Sequence, residues 1–206
     1  MSQLNSDEKR SISLKNVFSD AESSLSGSSN TQENHLPGLL INITGDGKGK
    51  STSAFGMVIR TLGWGGKAAV LQFVKSPLFE TGELNFFTKI FPGRISFEPF
   101  GPGRQASREV QEECASKAFQ RTKELLQQSE LNLLVLDELN IALWKKLLPF
   151  QEVCNALLER SPQLNVCITG RYAQKEPLDI CDLVSDIHSL RHPYDRGIPA
   201  RKGIDF

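Results

Sequence analysis

Several things are missing from this chain of 206 residues, and each absence closes off a class of function. There is no charge imbalance. The 24 Lys and Arg match the 24 Asp and Glu, so bulk electrostatics give no reason to expect a nucleic-acid partner. There is no apolar run near the roughly 18 residues of a membrane span, and no membrane partner is expected. The N-terminal stretch lacks the apolar core of a signal peptide, which makes a cytoplasmic protein the expectation. The four cysteines, Cys114, Cys154, Cys167 and Cys181, form no C-x-x-C pair and have no histidine at zinc-ligand spacing. Buried thiols in a reducing compartment account for them. His35, His188 and His192 are too spread to make a cluster by spacing. No Gly-x-Ser-x-Gly, His-Glu-x-x-His or Cys/His nucleophile pattern occurs, so hydrolytic nucleophile chemistry has no support. No internal repeat is visible.

What is present divides at about residue 36. Residues 1–36 include ten serines and a single aromatic, Phe18. Such a segment buries little apolar area against the entropy of ordering it, so a flexible polar tail is expected. Its acidic residues outnumber its basic ones, against a mitochondrial presequence. One patterned piece, Ser11 to Phe18, leaves open a segment that folds over a ligand. The rest of the chain, 37–206, is a domain of ordinary size, and 39% hydrophobic content supplies a core.

From Pro37 strand and helix patterns alternate. Leu39–Thr44, Lys67–Val74, Ile95–Phe100, Leu131–Leu139, Leu164–Thr169 and Leu183–Leu190 read as strands. Lys50 to about Leu62, Glu83 to Lys89, a long stretch after Ser107, Phe150–Arg160 and Pro177–Asp182 read as helices. The central strand runs are almost continuously apolar, as in strands covered on both faces. The fold class expected is therefore α/β: a mostly parallel, P-loop-like sheet with helices on both faces, in a single domain.

Gly45-Asp46-Gly47-Lys48-Gly49-Lys50-Ser51-Thr52 lies between the first strand and the first helix. Strand, glycine-rich turn, lysine, hydroxyl, helix is the order of a phosphate-binding loop. Glycines let backbone N–H groups point inward, and the helix start adds free N–H groups and positive dipole. The usual loop has four residues between its first glycine and the Gly-Lys pair. Here only three, Asp46, Gly47 and Lys48, separate Gly45 from Gly49. Two readings follow, a chance Gly/Lys turn or a variant loop with unusual phosphate geometry, and the flanking elements favour the loop.

Leu133-Leu134-Val135-Leu136-Asp137-Glu138 ends a buried strand in two acids, at the sheet edge where ligands bind in open α/β folds. On a strand neighbouring the loop, one of these acids could hold Mg²⁺ opposite the Ser51 hydroxyl. Arg171, after Thr169-Gly170, could reach phosphate or be an ordinary surface arginine.

Read together, these motifs resemble the ATP:corrinoid adenosyltransferases of the CobA/BtuR/CobO type. The loop, Gln72-Phe73-Val74-Lys75, Val135-Leu136-Asp137-Glu138-Leu139, Ile168-Thr169-Gly170-Arg171, His192 to Ala200 and Gly203-Ile204-Asp205-Phe206 occur in the family's order. They cover about four-fifths of the chain, from Leu39 onward, and the shortened loop is the family's own form. The resemblance implies that the 5′-deoxyadenosyl group of ATP moves to the Co(I) of a reduced corrinoid, with triphosphate released. ATP and corrinoid are then substrates and Mg²⁺, or Mn²⁺, the cofactor. Residues Gly45 to Thr52 and Arg171 would bind nucleotide. Lys48 and Lys50 would stabilise the departing charge. Ser51 and Glu138 would ligate the metal, with Asp137 at the metal site behind them. The resemblance also implies a homodimer and an electron donor such as a flavodoxin or flavin reductase.

The chain departs from the family pattern at three places. Asp46 stands where asparagine is common. Phe97 to Arg104 lacks the family's tryptophan, with Phe97 read as core and Phe100 left open. Leu139-Asn140-Ile141-Ala142 replaces a more hydroxyl-rich run. Two other functions remain in view: a P-loop NTPase or kinase acting at the γ-phosphate, and a non-catalytic ATP- or corrinoid-binding protein.

Overall fold

A computed structural model describes residues 36–206 apart from Phe79 and Arg104. The tail expected over 1–36 lies, except for Leu36, outside the described residues. Within them the chain alternates strand and helix. The strands are β1 (Leu40–Thr44), β2 (Ala68–Gln72), β3 (Ile95–Pro99), β4 (Leu133–Asp137), β5 (Asn165–Thr169) and β6 (Leu183–Asp186). The helices are α1 (Lys50–Gly63), α2 (Gly82–Ile90), α3 (Arg108–Leu126), α4 (Leu139–Trp144), α5 (Phe150–Leu158) and α6 (Lys175–Asp179). A 3₁₀ turn follows at Pro193–Arg196. All strand pairs are parallel, in the order β3-β2-β4-β5-β1-β6.

The period-two rule of strands decides where the core lies. Ala69 and Leu71 of β2, Leu134 and Leu136 of β4, and Val166 and Ile168 of β5 point to one face. There they meet Ala115, Ala118, Phe119 and Leu125 of α3, Leu143 of α4 and Leu157 of α5. The alternating residues Ala68 and Val70, Leu133 and Val135, and Cys167 point to the other face. There they meet Ala54, Phe55, Val58 and Leu62 of α1 and Phe87 of α2. Both faces of the central strands are covered, which is why their sequences are apolar without alternation. Burial pushes the Cys167 thiol up to about 12, so it stays protonated in this core.

Local chemistry fixes the helix ends. The Ser107 hydroxyl caps α3 by accepting from the Val110 N–H, and Thr81 caps α2 by accepting from Leu84. Helix α4 is absent from the sequence reading, which runs β4 on through Leu139. The strand stops at Asp137 because Glu138 adopts a left-handed φ of 64° and turns the chain. Leu139, Ala142 and Leu143 then sit in the core at helical spacing.

Two other expectations need correction. The strands carrying the loop and the two acids are not neighbours, because β5 lies between β1 and β4. The last strand ends at Asp186, short of Leu190. Phe97 packs on Phe55 and Phe87, with ring centroids 5.8 and 6.2 Å away, and is core as read. Phe100 packs against the opposite cluster.

Leu134 in the middle of the sheet is fully buried. Leu134→Ala should cost about 2–5 kcal/mol in chemical denaturation, the range for a buried leucine whose site collapses only partly. An unchanged midpoint would contradict this packing.

Candidate active site

The loop between β1 and α1 bends through glycines where an L side chain is disfavoured. Gly45 has φ 100° and Gly49 φ 117°. Gly47 is needed for space: a Cβ there would stand 2.7 Å from the Ile187 carbonyl oxygen. That carbonyl accepts the Gly47 N–H at 2.7 Å. The segment after β6 therefore leaves the sheet to brace the loop. One loop N–H, that of Gly47, is consequently already engaged within the fold.

Lys50, the first residue of α1, is buried, and its ammonium donates to the Gly47 carbonyl at 2.5 Å. Burial, and next the charge of Arg171, pull its pKa below the ordinary lysine value. The ammonium is therefore held charged at a cost set first by burial, against the nearby charges of Glu138, Asp46 and Asp186 that favour it. Lys48 is half exposed and ion-paired with Asp205. Asp205 is held in turn by the Arg201 N–H, which donates to its other oxygen at 2.7 Å. Asp46 stays at the surface, 3.7 Å from His188.

Asp137, at the end of β4, is fully buried. Its Oδ1 accepts from Ser51 Oγ and Thr169 Oγ1, both at 2.7 Å. Its Oδ2 accepts from Gln72 Nε2 at 2.8 Å and lies 3.4 Å from Lys75 Nζ. Four elements thus converge on one carboxylate. Thr169 also accepts the Glu138 N–H at 3.0 Å, which fixes the backbone from which the Glu138 side chain departs. Burial, and next the charge of Asp137, push the Glu138 pKa up, against the opposing charges of Lys75, Lys50 and Arg171. Arg171 is exposed, and its charge is felt by both Lys50 and Glu138. Behind Glu138, Asn140 donates to the Gly170 carbonyl and exchanges hydrogen bonds with Asn42.

The site therefore brings together Gly45 to Ser51, Asp137, Glu138 and Arg171 from the sequence reading. Thr52, the last loop residue, instead lines an adjoining cavity between α1 and α2. Gln72, Lys75, Thr169 and Asp205 stood in the recognised motifs with no role of their own, and the structure gives each a partner. Among the described residues no group of three or more His, Cys, Asp or Glu is arranged around a common point.

A glycine-bent loop at the carboxyl edge of a parallel sheet, linked by its hydroxyl to an acid on a central strand, places the chain in the P-loop-like class of α/β proteins. A model of the family "ATP:corrinoid adenosyltransferase BtuR/CobO/CobP" matches residues 37–206. The chain is 38% identical over 174 residues to a corrinoid adenosyltransferase from Pseudomonas aeruginosa, covering 82% of this chain and 84% of that protein. It is 37% identical over 175 residues to one from a Sinorhizobium species, covering 82% and 80%. To that of Escherichia coli K12 it is 36% identical over 172 residues, covering 82% and 86%. Within its class, the chain belongs to the ATP:corrinoid adenosyltransferase family.

Two outcomes check this geometry. Thr169→Val removes a donor to buried Asp137 and the acceptor for Glu138, and should cost about 1–3 kcal/mol in denaturant titration. No loss would mean that Asp137 does not depend on Thr169. The second outcome concerns pH. A raised pKa means that the folded chain holds the Glu138 proton more tightly than the unfolded chain does. Stability from this group is then greatest below the ordinary glutamate range and declines as pH rises through the raised value. Ligand-free Glu138→Gln should melt higher than the parent at neutral pH, with the gap closing as pH falls into the ordinary glutamate range. A gap that widens on acidification would contradict the assignment.

Proposed function

We propose that this chain transfers the 5′-deoxyadenosyl group of ATP to the Co(I) of a reduced corrinoid and releases triphosphate. The observation that carries the reading is the short loop joined through Ser51 to Asp137, in a chain of this family. Co(I) supplies the electron pair that forms the Co–C5′ bond. The C5′–O bond breaks, and its electron pair leaves with triphosphate. No proton is removed, so the protein's work is positioning and charge stabilisation. Lys50 is assigned to the triphosphate, since among the described residues its buried ammonium has the Gly47 carbonyl alone as a hydrogen-bond partner. Lys48 would join it by exchanging Asp205 for a phosphate oxygen. The remaining loop residues, Gly45, Asp46, Gly47, Gly49 and Thr52, shape the nucleotide site, and Arg171 borders it.

The donor set fits Mg²⁺ or Mn²⁺. Ser51 gives its hydroxyl proton to Asp137, which leaves its oxygen lone pairs for a hard cation. Glu138, one residue beyond Asp137, offers a second hard carboxylate. Both oxygens of Asp137 are already engaged, so Asp137 orients Ser51 rather than ligating directly. A bound divalent ion supplies positive charge beside the departing triphosphate.

Residues 37–206 are proposed as the catalytic domain, working in the cytoplasm as a homodimer. No helix among the described residues is long and apolar enough to cross a membrane. Co(I) is strongly reducing, so a low-potential electron donor such as a flavodoxin or flavin reductase is the partner proposed.

Mixing ATP, Mg²⁺ and chemically reduced cobalamin with the protein should produce the spectrum of a light-sensitive alkylcobalamin. No such spectrum with Co(I) supplied would defeat the reading. Lys50→Ala should lower kcat/KM by about 10²–10³, the loss typical when one charge-stabilising donor is removed. Near-normal turnover would reject the role given to Lys50.

A further inference from the structure

Two buried amides take no part in the reaction proposed above. Asn42, in the middle of β1, and Asn140, in the first turn of α4, are almost without exposed surface. Strand alternation turns Asn42 to the same face as Leu40, where Leu139, Ala142 and Leu143 of α4 pack. Among such neighbours a lone amide is costly, and each answers the other. Asn42 Nδ2 donates to Asn140 Oδ1 at 3.2 Å, and Asn140 Nδ2 donates to Asn42 Oδ1 at 2.9 Å. Two leucines would fill the same space without that demand. What leucines could not supply is a third bond, from Asn140 Nδ2 to the Gly170 carbonyl at 3.0 Å. Both N–H donors of Asn140 are then in use.

That third bond falls on the turn that carries Arg171. Gly170 has φ 129° and Tyr172 φ 61°, so both neighbours of Arg171 lie in the left-handed region. This conformation is costly for a tyrosine and persists only where its surroundings impose it. They do so from two sides. From β1, the Ile43 carbonyl accepts the Gly170 N–H at 3.2 Å, and Thr44 Oγ1 accepts the Ala173 N–H at 3.4 Å. From α4, two residues four apart, and so on one helix face, hold the turn. Asn140 takes the Gly170 carbonyl, and Trp144 lies against Tyr172 with ring centroids 4.4 Å apart. The Gly170 carbonyl belongs to the planar peptide that delivers Arg171, so holding it sets the direction in which the arginine leaves the backbone. The fit is close. A Cβ on Gly170 would stand 3.0 Å from Asn140 Cβ and 3.2 Å from Glu138 Oε2.

We infer that α4 is the positioning element for Arg171, and that Asn140, braced by Asn42, is a positioning residue that aims the guanidinium at the nucleotide phosphates. Asn140 acts through Gly170 and touches no substrate. The target of the guanidinium rests on the proposed function; the grip on the turn does not.

The test is MgATP affinity by calorimetry with no corrinoid present, so that it does not depend on turnover, and the stoichiometry reports the folded fraction. Arg171→Ala should weaken MgATP binding about tenfold, the worth of one hydrogen bond to a charged group. Asn42→Leu strands the amide of Asn140 but keeps its bond to Gly170. It should lower the denaturation midpoint and leave MgATP affinity nearly unchanged. Asn42→Leu/Asn140→Leu replaces both amides by apolar groups. It should recover much of the midpoint, yet bind MgATP about tenfold more weakly than the parent. Adding Arg171→Ala to that pair should cost little more, because the arginine is already misdirected. Asn140→Ala takes the place of the leucine pair if the pair does not fold.

Parent-like MgATP affinity in the leucine pair overturns the inference and leaves the amides a packing role alone. So does a full further loss on adding Arg171→Ala, since the arginine would then be aimed without Asn140. Unchanged affinity in Arg171→Ala itself has the same force. The two readings fail separately. A parent that makes alkylcobalamin while the leucine pair binds MgATP normally keeps the function and rejects the positioning role. A parent whose MgATP affinity follows the expected pattern but that transfers nothing does the reverse.

Discussion

A fully buried carboxylate is tolerated only where charge and hydrogen bonds surround it. Asp137 meets that demand with Ser51, Gln72, Thr169 and Lys75, and these four come from α1, β2, β5 and the segment after β2. Removing any one of them would leave a lone pair or a charge unmet in the sheet. The requirement therefore fixes the start of α1 against β4, although β5 separates β4 from the strand that delivers the loop. It also fixes the rotamer of Ser51, and so the direction in which its oxygen faces the loop. Thr169 extends the same network to the Glu138 backbone, where a left-handed turn ends the strand and starts α4.

Around this satisfied centre the other charges are not at rest. Lys50 is buried with its pKa pulled down, and Glu138 is half-buried with its pKa pushed up. Each shift means that the charged form is held at a cost, and each cost is relieved by a ligand of opposite sign. A polyphosphate answers the first and a divalent cation the second. The loop is held in shape meanwhile by the far end of the sequence: the Ile187 carbonyl takes the Gly47 N–H, and Asp205 pairs with Lys48. The site is preorganised from both ends of the domain, as charge stabilisation without reorganisation requires.

Much of this was legible in the residues. The strands β2, β4 and β5 announced themselves as apolar runs because both of their faces are covered. The loop was legible because its glycines, lysines and hydroxyl must occur in order. Strand order was not, because nothing local in β1 or β4 records that β5 lies between them. Helix α4 was hidden because its first residue continues the apolar run of β4, and only the backbone turn at Glu138 separates the two. The partners of Asp137 and the pairing of Lys48 with Asp205 span from 32 to 157 positions of sequence, and contacts of that separation leave no spacing to read.

The central claim is that this geometry presents C5′ of the nucleotide, and not its γ-phosphate, to a second substrate. The leaving group reports that choice directly. Phosphorus NMR of a reaction containing ATP, Mg²⁺ and pre-reduced cobalamin should show intact triphosphate growing in step with the alkylated corrinoid. Orthophosphate and ADP in its place would put the chemistry at the γ-phosphate and contradict the account.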